Sequence, residues 1–193
     1  MLFLISMKMS IQSSDGANES LGVLIIGGCS FVGYHLVCHF VSNSKFSPVA
    51  VASRSAKQSK NQVSEATYHN VDLTDASLIE ELIDDLKPTV VMHVASPSPV
   101  TGTGSDYEKV AIQGTKDLLR IAKRSKDVQV LVYTSSSLLC GGPEHLNLTE
   151  ESPLADSDPK APAYARTKAQ AEKLILSANN PLPLDDSKNN IFS

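Results

Sequence analysis

Five short runs of β-branched and small apolar residues recur along the 193-residue chain, and segments with helical spacing separate most of them. The runs are "VLIIG" at 23–27, "PVAVAS" at 48–53, "ATYHNV" at 66–71, "TVVMHVA" at 89–95 and "VQVLVYTS" at 128–135. Each has the length of a strand buried on both faces. Val32, Leu36, Val37 and Phe40 stripe one helical face after Gly33. Leu78, Ile79, Leu82, Ile83 and Leu86 stripe a second, with Asp75 as its cap and Lys87-Pro88 as its stop. Val110, Ile112, Leu118, Leu119 and Ile121 mark a third, and residues 164–178 a fourth. The link "RSAKQSKNQVSE", 54–65, carries no helical pattern. Strand and helix in alternation imply right-handed crossovers and a parallel sheet, so the expected fold is α/β, a doubly wound parallel sheet.

Composition narrows the setting. A formal net charge of -4 with no dense Lys/Arg block argues against nucleic acid as a partner. Cys29, Cys38 and Cys140 form no C-x-x-C pair, which fits a reducing, intracellular environment and suggests neither a disulfide framework nor a zinc site. The opening "MLFLISMKMS" lacks the basic flank and cleavage site of a signal peptide. Residues 1–20 therefore read as a disordered lead-in, with "SIQSSDGANES" polar and aperiodic, and the domain as 21–178.

At the first strand-to-helix junction stands "LIIGGCSFVGYHLV", Leu24 to Val37. A G-x-x-G-x-x-G pattern would fall on Gly27, position 30 and Gly33, but position 30 is Ser30. A dinucleotide turn needs a tight bend, a close approach to the pyrophosphate and helix-strand contact, and the helix N-terminus supplies N–H groups to the phosphates. Gly27 and Gly33 suit the first and third needs. Ser30, at the second, is expected to crowd the pyrophosphate or to require a different backbone angle, although its hydroxyl could donate to a phosphate oxygen. A turn of this kind without any ligand is the alternative.

The second run ends at Ser53 and Arg54, with Lys57 and Lys60 close by. A 2′-phosphate would be drawn to such a cluster, which favours NADP over NAD; a solvated basic loop is the other reading. Asp72, just past the third run, is placed either to accept from an adenine amino group or to shape the turn ahead of Asp75.

Tyr164 and Lys168 in "PAYARTKAQAEKLI" are four apart, so on a helix they share a face. A free tyrosine has a pKa of about 10, and a nearby cation favours its phenolate, so this pair can move a proton. Ser136 follows the fifth run, at the carboxyl end where a doubly wound sheet binds its ligands; Ser135 to Ser137 as simple turn formers are the other reading. His93 ends the fourth run on the same side and reads as a packed, hydrogen-bonded histidine.

Together "IIGGCSFVGYHLV", "VDLTD", "VMHVASPSP", "VYTSSS" and "PAYARTKAQAEKLI" resemble the extended short-chain dehydrogenase/reductase superfamily. Within it they are most similar to the 3β-hydroxysteroid dehydrogenases, especially the fungal-type sterol-4α-carboxylate 3-dehydrogenases. The resemblance implies a Rossmann-like NAD(P)-binding domain, with Tyr164 as acid/base, Lys168 lowering its pKa and holding the nicotinamide ribose, and Ser136 fixing the substrate oxygen. It also implies cofactor contacts at Gly27, Gly28, Ser30, Phe31, Val32, Gly33, Ser53, Arg54, Asp72, Leu73, Ala95, Ser96, Tyr164 and Lys168. The implied reaction is oxidation of a 3β-hydroxyl on a sterol or sterol 4-carboxylate, after which the ketone beside the carboxylate-bearing carbon loses CO₂. The family prefers NAD, so the cofactor expectation is NAD(P). A sterol-like substrate implies a cytoplasmic enzyme or one peripheral to the endoplasmic reticulum membrane.

Family members continue past "NNPLPLDDSKNNIFS", so residues 179–193 read as a truncated tail at the start of a missing strand and substrate region. The sheet would then be incomplete on its C-terminal side, the fifth run would present a bare edge prone to self-association unless the tail or a partner covers it, and the chain alone would be weakly active or inactive. Two alternatives stand beside the dehydrogenase: a non-catalytic dinucleotide-binding module, and a nucleotide-sugar epimerase or dehydratase.

Overall fold

The computed structural model describes residues 4–8 by their backbone, and residues 20–140, 148–149 and 151–178 with side chains. Six strands form one sheet: β1 (Leu4–Lys8), β2 (Leu21–Ile26), β3 (Phe46–Ser53), β4 (Ala66–Asn70), β5 (Val90–His93) and β6 (Val130–Thr134). Their order is β1-β6-β5-β2-β3-β4. All pairs from β4 through β6 are parallel, as the alternating pattern requires, with Ile26 opposite both Ala52 and His93.

Helices cover both faces: α1 (Phe31–Val41), α2 (Ala76–Leu86), α3 (Gly104–Asp106), α4 (Thr115–Arg124) and α5 (Ala163–Ala178). The strand period of two divides the core cleanly. Leu24, Ile26, Val91 and Leu131 point to one side, against Ile79 and Ile83 of α2, Leu118 and Ile121 of α4, and Ile175 of α5. Val23, Ile25, Val51 and Val132 point to the other, against Val37 and Phe40 of α1. Full burial of each such side chain stabilises the fold by about 1.5–3 kcal/mol.

Local signals act where expected. Asp75 caps α2 by accepting from the Leu78 amide at 3.1 Å, and Lys87 ends it in the left-handed region at φ 47°. The link after β3 holds only a 3₁₀ turn, Ala56–Gln58. The third helical stripe is less regular than its spacing suggests. α3 opens on a capping box between Thr103 and Asp106, runs into a π-helical stretch, Tyr107–Gly114, and only then becomes α4. Within that stretch Tyr107, Ala111, Ile112 and Gly114 are all buried.

Two expectations about the sheet are corrected at its edge. Residues 4–8, read as part of a disordered lead-in, form β1, which pairs antiparallel with β6 from Leu4 opposite Thr134 to Lys8 opposite Val130. The β6 edge is therefore covered within the chain and not bare. The sequence "LISMK" is too short to show a strand period, so its partner was not legible. Residues 9–19 and the tail 179–193 lie outside the described residues. Deleting residues 1–9 should uncover the β6 edge and produce concentration-dependent dimers or larger species in light scattering; a deleted chain that stays monomeric would show that β1 does not protect it.

Candidate dinucleotide cleft and catalytic residues

At the carboxyl ends of β2, β3 and β5 the chain encloses a cleft of about 390 Å³. Its floor exists because side chains are missing. Gly27 has φ +90°, and a Cβ there would lie 2.6 Å from the Ala95 amide nitrogen. At Gly28 a Cβ would lie 2.7 Å from Cγ1 of Val51. At Gly33 it would strike the Gly27 carbonyl and come within 2.6 Å of the Gly28 Cα. Gly27 and Gly33 thus serve the tight bend and the helix-strand contact that their positions suggested. Gly28 packs against the Val51 side chain of β3.

Ser30 needs no unusual backbone angle, which corrects that one of its two expectations. It is the N-cap of α1, with φ -75° and ψ 169°, a conformation open to any residue. Its Oγ accepts from the Gly33 amide at 3.1 Å. The Tyr34 amide returns to the Ser30 carbonyl at 2.8 Å, which leaves the Phe31 and Val32 amides without a partner among the described residues. Such a helix N-terminus attracts anions. The Phe31 side chain is 81% exposed, and Val32, on α1, packs against the core.

The cleft lining includes Gly27, Ser30, Ser53, Arg54, Asp72, Leu73, Ala95 and Ser96. Gly28, Phe31, Val32 and Gly33 shape the turn without lining it. Of the basic residues after β3, Arg54 faces the cleft, while Lys57 and Lys60 do not line it. Asp72 shapes the turn, its Oδ1 accepting from the amide and hydroxyl of Thr74, each at 2.9 Å, and the residue also lines the cleft. The Cys29 amide donates to Ser53 Oγ at 3.5 Å, joining the turn to the end of β3.

Asp106 also lines the cleft and had no place in the sequence-based site. Hydrogen bonds from the Thr103 amide (2.9 Å) and hydroxyl (2.7 Å) hold its carboxyl below the usual carboxylate range, and the charge of Arg54 adds to this. The "TGSD" capping pattern after the fourth run was its available signal.

The three residues read as catalytic stand beside this cleft and not in its lining. Ser136, half-buried, caps a 3₁₀ turn by accepting from the Leu138 amide at 3.2 Å. Tyr164, half-buried on α5, meets the Tyr107 ring edge-on at 6.0 Å between centroids. The Tyr107 hydroxyl donates to the Ser98 carbonyl at 2.8 Å, and Ser98 lines the cleft, so Tyr164 connects to the cleft through one buried aromatic ring. Lys168 is only 4% exposed. Its ammonium donates to the Thr134 carbonyl at 2.7 Å and lies 4.1 Å from the centre of the Tyr133 ring, with no hydrogen bond to the Tyr164 phenol. Sharing a helix face did not bring ammonium to phenol, because the long lysine stem reaches the end of β6 instead. Burial pushes Lys168 down to about 7, while Glu172 pulls it back up.

His93 is buried, with Nε2 2.9 Å from the Thr115 hydroxyl. Burial pushes its pKa down to about 3, with the Lys168 charge adding to the effect. It is the packed, neutral histidine its position suggested.

Residues 24–188 match the model of the 3-beta hydroxysteroid dehydrogenase/isomerase family. The chain is 36% identical over 169 residues to the decarboxylating sterol-4-alpha-carboxylate 3-dehydrogenase of Saccharomyces cerevisiae, covering 82% of this chain and 46% of that protein. It is 34% identical to the Candida albicans protein of the same name, covering 84% of this chain and 48% of the other. Among solved structures, the Thermus thermophilus UDP-glucose 4-epimerase in complex with NAD superposes with a TM-score of 0.66 at 25% identity, over 81% of this chain and 50% of the epimerase. The fold is Rossmann-like, and the chain spans about half the length of the curated relatives it matches.

The capping geometry sets a stability test. Replacing Ser30 with Ala should cost about 1 kcal/mol in urea unfolding, and replacing it with Gly only a few tenths. Clear stabilisation by Gly would restore the strained-serine reading.

Proposed function

Because the chain belongs to the 3-beta hydroxysteroid dehydrogenase/isomerase family, we propose that it serves NAD(P)-dependent oxidation of a 3β-hydroxyl on a sterol or sterol 4-carboxylate. The observation that carries this reading is the cleft lined by Gly27 at the carboxyl ends of the parallel strands, the end of the sheet at which Ser136 follows β6. The residues present fit a dinucleotide. Gly27 leaves the floor open, the Phe31 and Val32 amides at the α1 N-terminus suit the pyrophosphate, and Ser30 Oγ keeps a proton to donate. Ser53 and Arg54 stand where the adenosine ribose or its 2′-phosphate would be held, and Asp72 where the adenine amino group would donate. Leu73, Ala95 and Ser96 form the walls.

When bound, the nicotinamide supplies the hydride acceptor. Tyr164 takes the hydroxyl proton of the substrate. Ser136, whose Oγ accepts from Leu138, retains its own hydrogen to orient the substrate oxygen. Lys168 supplies positive charge beside them and a hold on the nicotinamide ribose. A sterol substrate places this chemistry in the cytoplasm or at the endoplasmic reticulum surface. The likeness to a UDP-glucose 4-epimerase supports a second reading in which the same cleft serves a nucleotide sugar.

In a version extended to the full length of the relatives, incubation with NAD⁺ or NADP⁺ and a 3β-hydroxysterol 4-carboxylate should raise the absorbance of the reduced nucleotide, and Tyr164→Phe should lower that rate by at least about 10²-fold. An unchanged rate in Tyr164→Phe would remove its role as base, and interconversion of a UDP-sugar without sterol oxidation would favour the epimerase reading. Arg54→Asp should weaken NADPH relative to NADH by about tenfold, the worth of one charge-assisted contact; an unchanged ratio would return Arg54 to a solvated loop.

A further inference from the structure

Among the described residues, Lys168 and Glu172 are the two buried side chains of opposite formal charge, at 4% and 8% exposure. They stand one turn apart on α5, and two consecutive residues at the end of β6 anchor them. Lys168 donates to the Thr134 carbonyl, and Ser135 Oγ donates to Glu172 Oε2 through a very short hydrogen bond. No direct ion pair forms between them. The next residue, Ser136, is the proposed substrate-orienting hydroxyl.

We propose that Glu172, pinned by Ser135, is the buried counter-ion that keeps Lys168 charged, and so acts as a positioning residue through Lys168. The proposal rests on the catalytic reading of Lys168 given above. Burying an ammonium is costly unless an opposite charge offsets it. One carbonyl and the face of Tyr133 give Lys168 partial solvation, yet burial still drives its pKa down to about 7, and Glu172 is the group that opposes the fall. The other titratable groups around the pair cannot take that role. His93 on β5 is held neutral by burial. Tyr133 on β6 and Cys140 after it are both shifted upward by burial first, with Glu172 adding to the shift. Tyr164 is the proposed proton acceptor one turn earlier on α5. Lys173 is engaged elsewhere, 2.6 Å from Asp156, and the single charged residue of β1 is Lys8.

The test follows the Lys168 side chain by carbon and nitrogen NMR through a pH titration of the 193-residue protein, with Lys168→Arg to assign its signals. Glu172→Gln should move the Lys168 midpoint down by about one pH unit, a tenfold loss of proton affinity, and Glu172→Asp should keep most of the wild-type value. A midpoint that is the same in wild type and Glu172→Gln would overturn the proposal. If Glu172→Gln does not fold, the double variant Glu172→Gln/Lys168→Met should fold, because it removes the stranded ammonium along with its partner. A double variant as unstable as the single one would also overturn it. Neither readout uses a cofactor, so loss of nucleotide binding or turnover would count against the proposed function alone.

Discussion

Backbone passes within contact distance of backbone at the junction of β2 and α1, and the cleft depends on it. Gly27 lies against Ala95, Gly28 against Val51, and Gly33 against the Gly27–Gly28 peptide. A single Cβ at any of them would fall inside the range that folded chains avoid. This contact sets the start of α1 against the end of β2, where the Phe31 and Val32 amides have no partner among the described residues. It also brings the ends of β3 and β5, with Ser53, Arg54, Ala95 and Ser96, around the same space.

The second organising element is the end of β6. Thr134, Ser135 and Ser136 follow one another along the chain and meet, respectively, the Lys168 ammonium, the Glu172 carboxylate and the amide of a 3₁₀ turn. The placement of α5, and with it Tyr164, is therefore tied to a strand whose outer edge β1 covers. Tyr107 joins the two regions: its ring meets Tyr164 and its hydroxyl holds the Ser98 carbonyl of the cleft wall. Its ring needs the space left at Gly102, where a Cβ would lie 2.9 Å from it. The π-helical stretch that starts at Tyr107 buries this ring without interrupting the helical run into α4.

Most of the architecture was legible in the sequence because strand and helix periods report burial directly. The parallel order, the Asp75 cap and the helix-free link after β3 all follow from local pattern. What escaped depends on tertiary geometry. Ser30 looked like a defect in a glycine pattern, but its backbone is ordinary and position 30 serves as the N-cap of α1. The partner of β1 is more than a hundred residues away in sequence, so no local period points to it. The spacing of Tyr164 and Lys168 is that of neighbours on a helix, yet the carbonyl of Thr134 takes the ammonium. Asp106 closes a capping box with Thr103 and lines the cleft, and only the folded chain shows which loop lies opposite.

The most direct test of the account is an amide NMR spectrum of the labelled chain recorded with increasing NADH. The account predicts saturable shifts confined to Gly27 through Val32, Ser53 and Arg54, Asp72 and Leu73, and Ala95 and Ser96, with α2 and the outer strands unmoved. A folded chain whose spectrum does not change, or whose shifts cluster away from the β2–α1 turn, would contradict it.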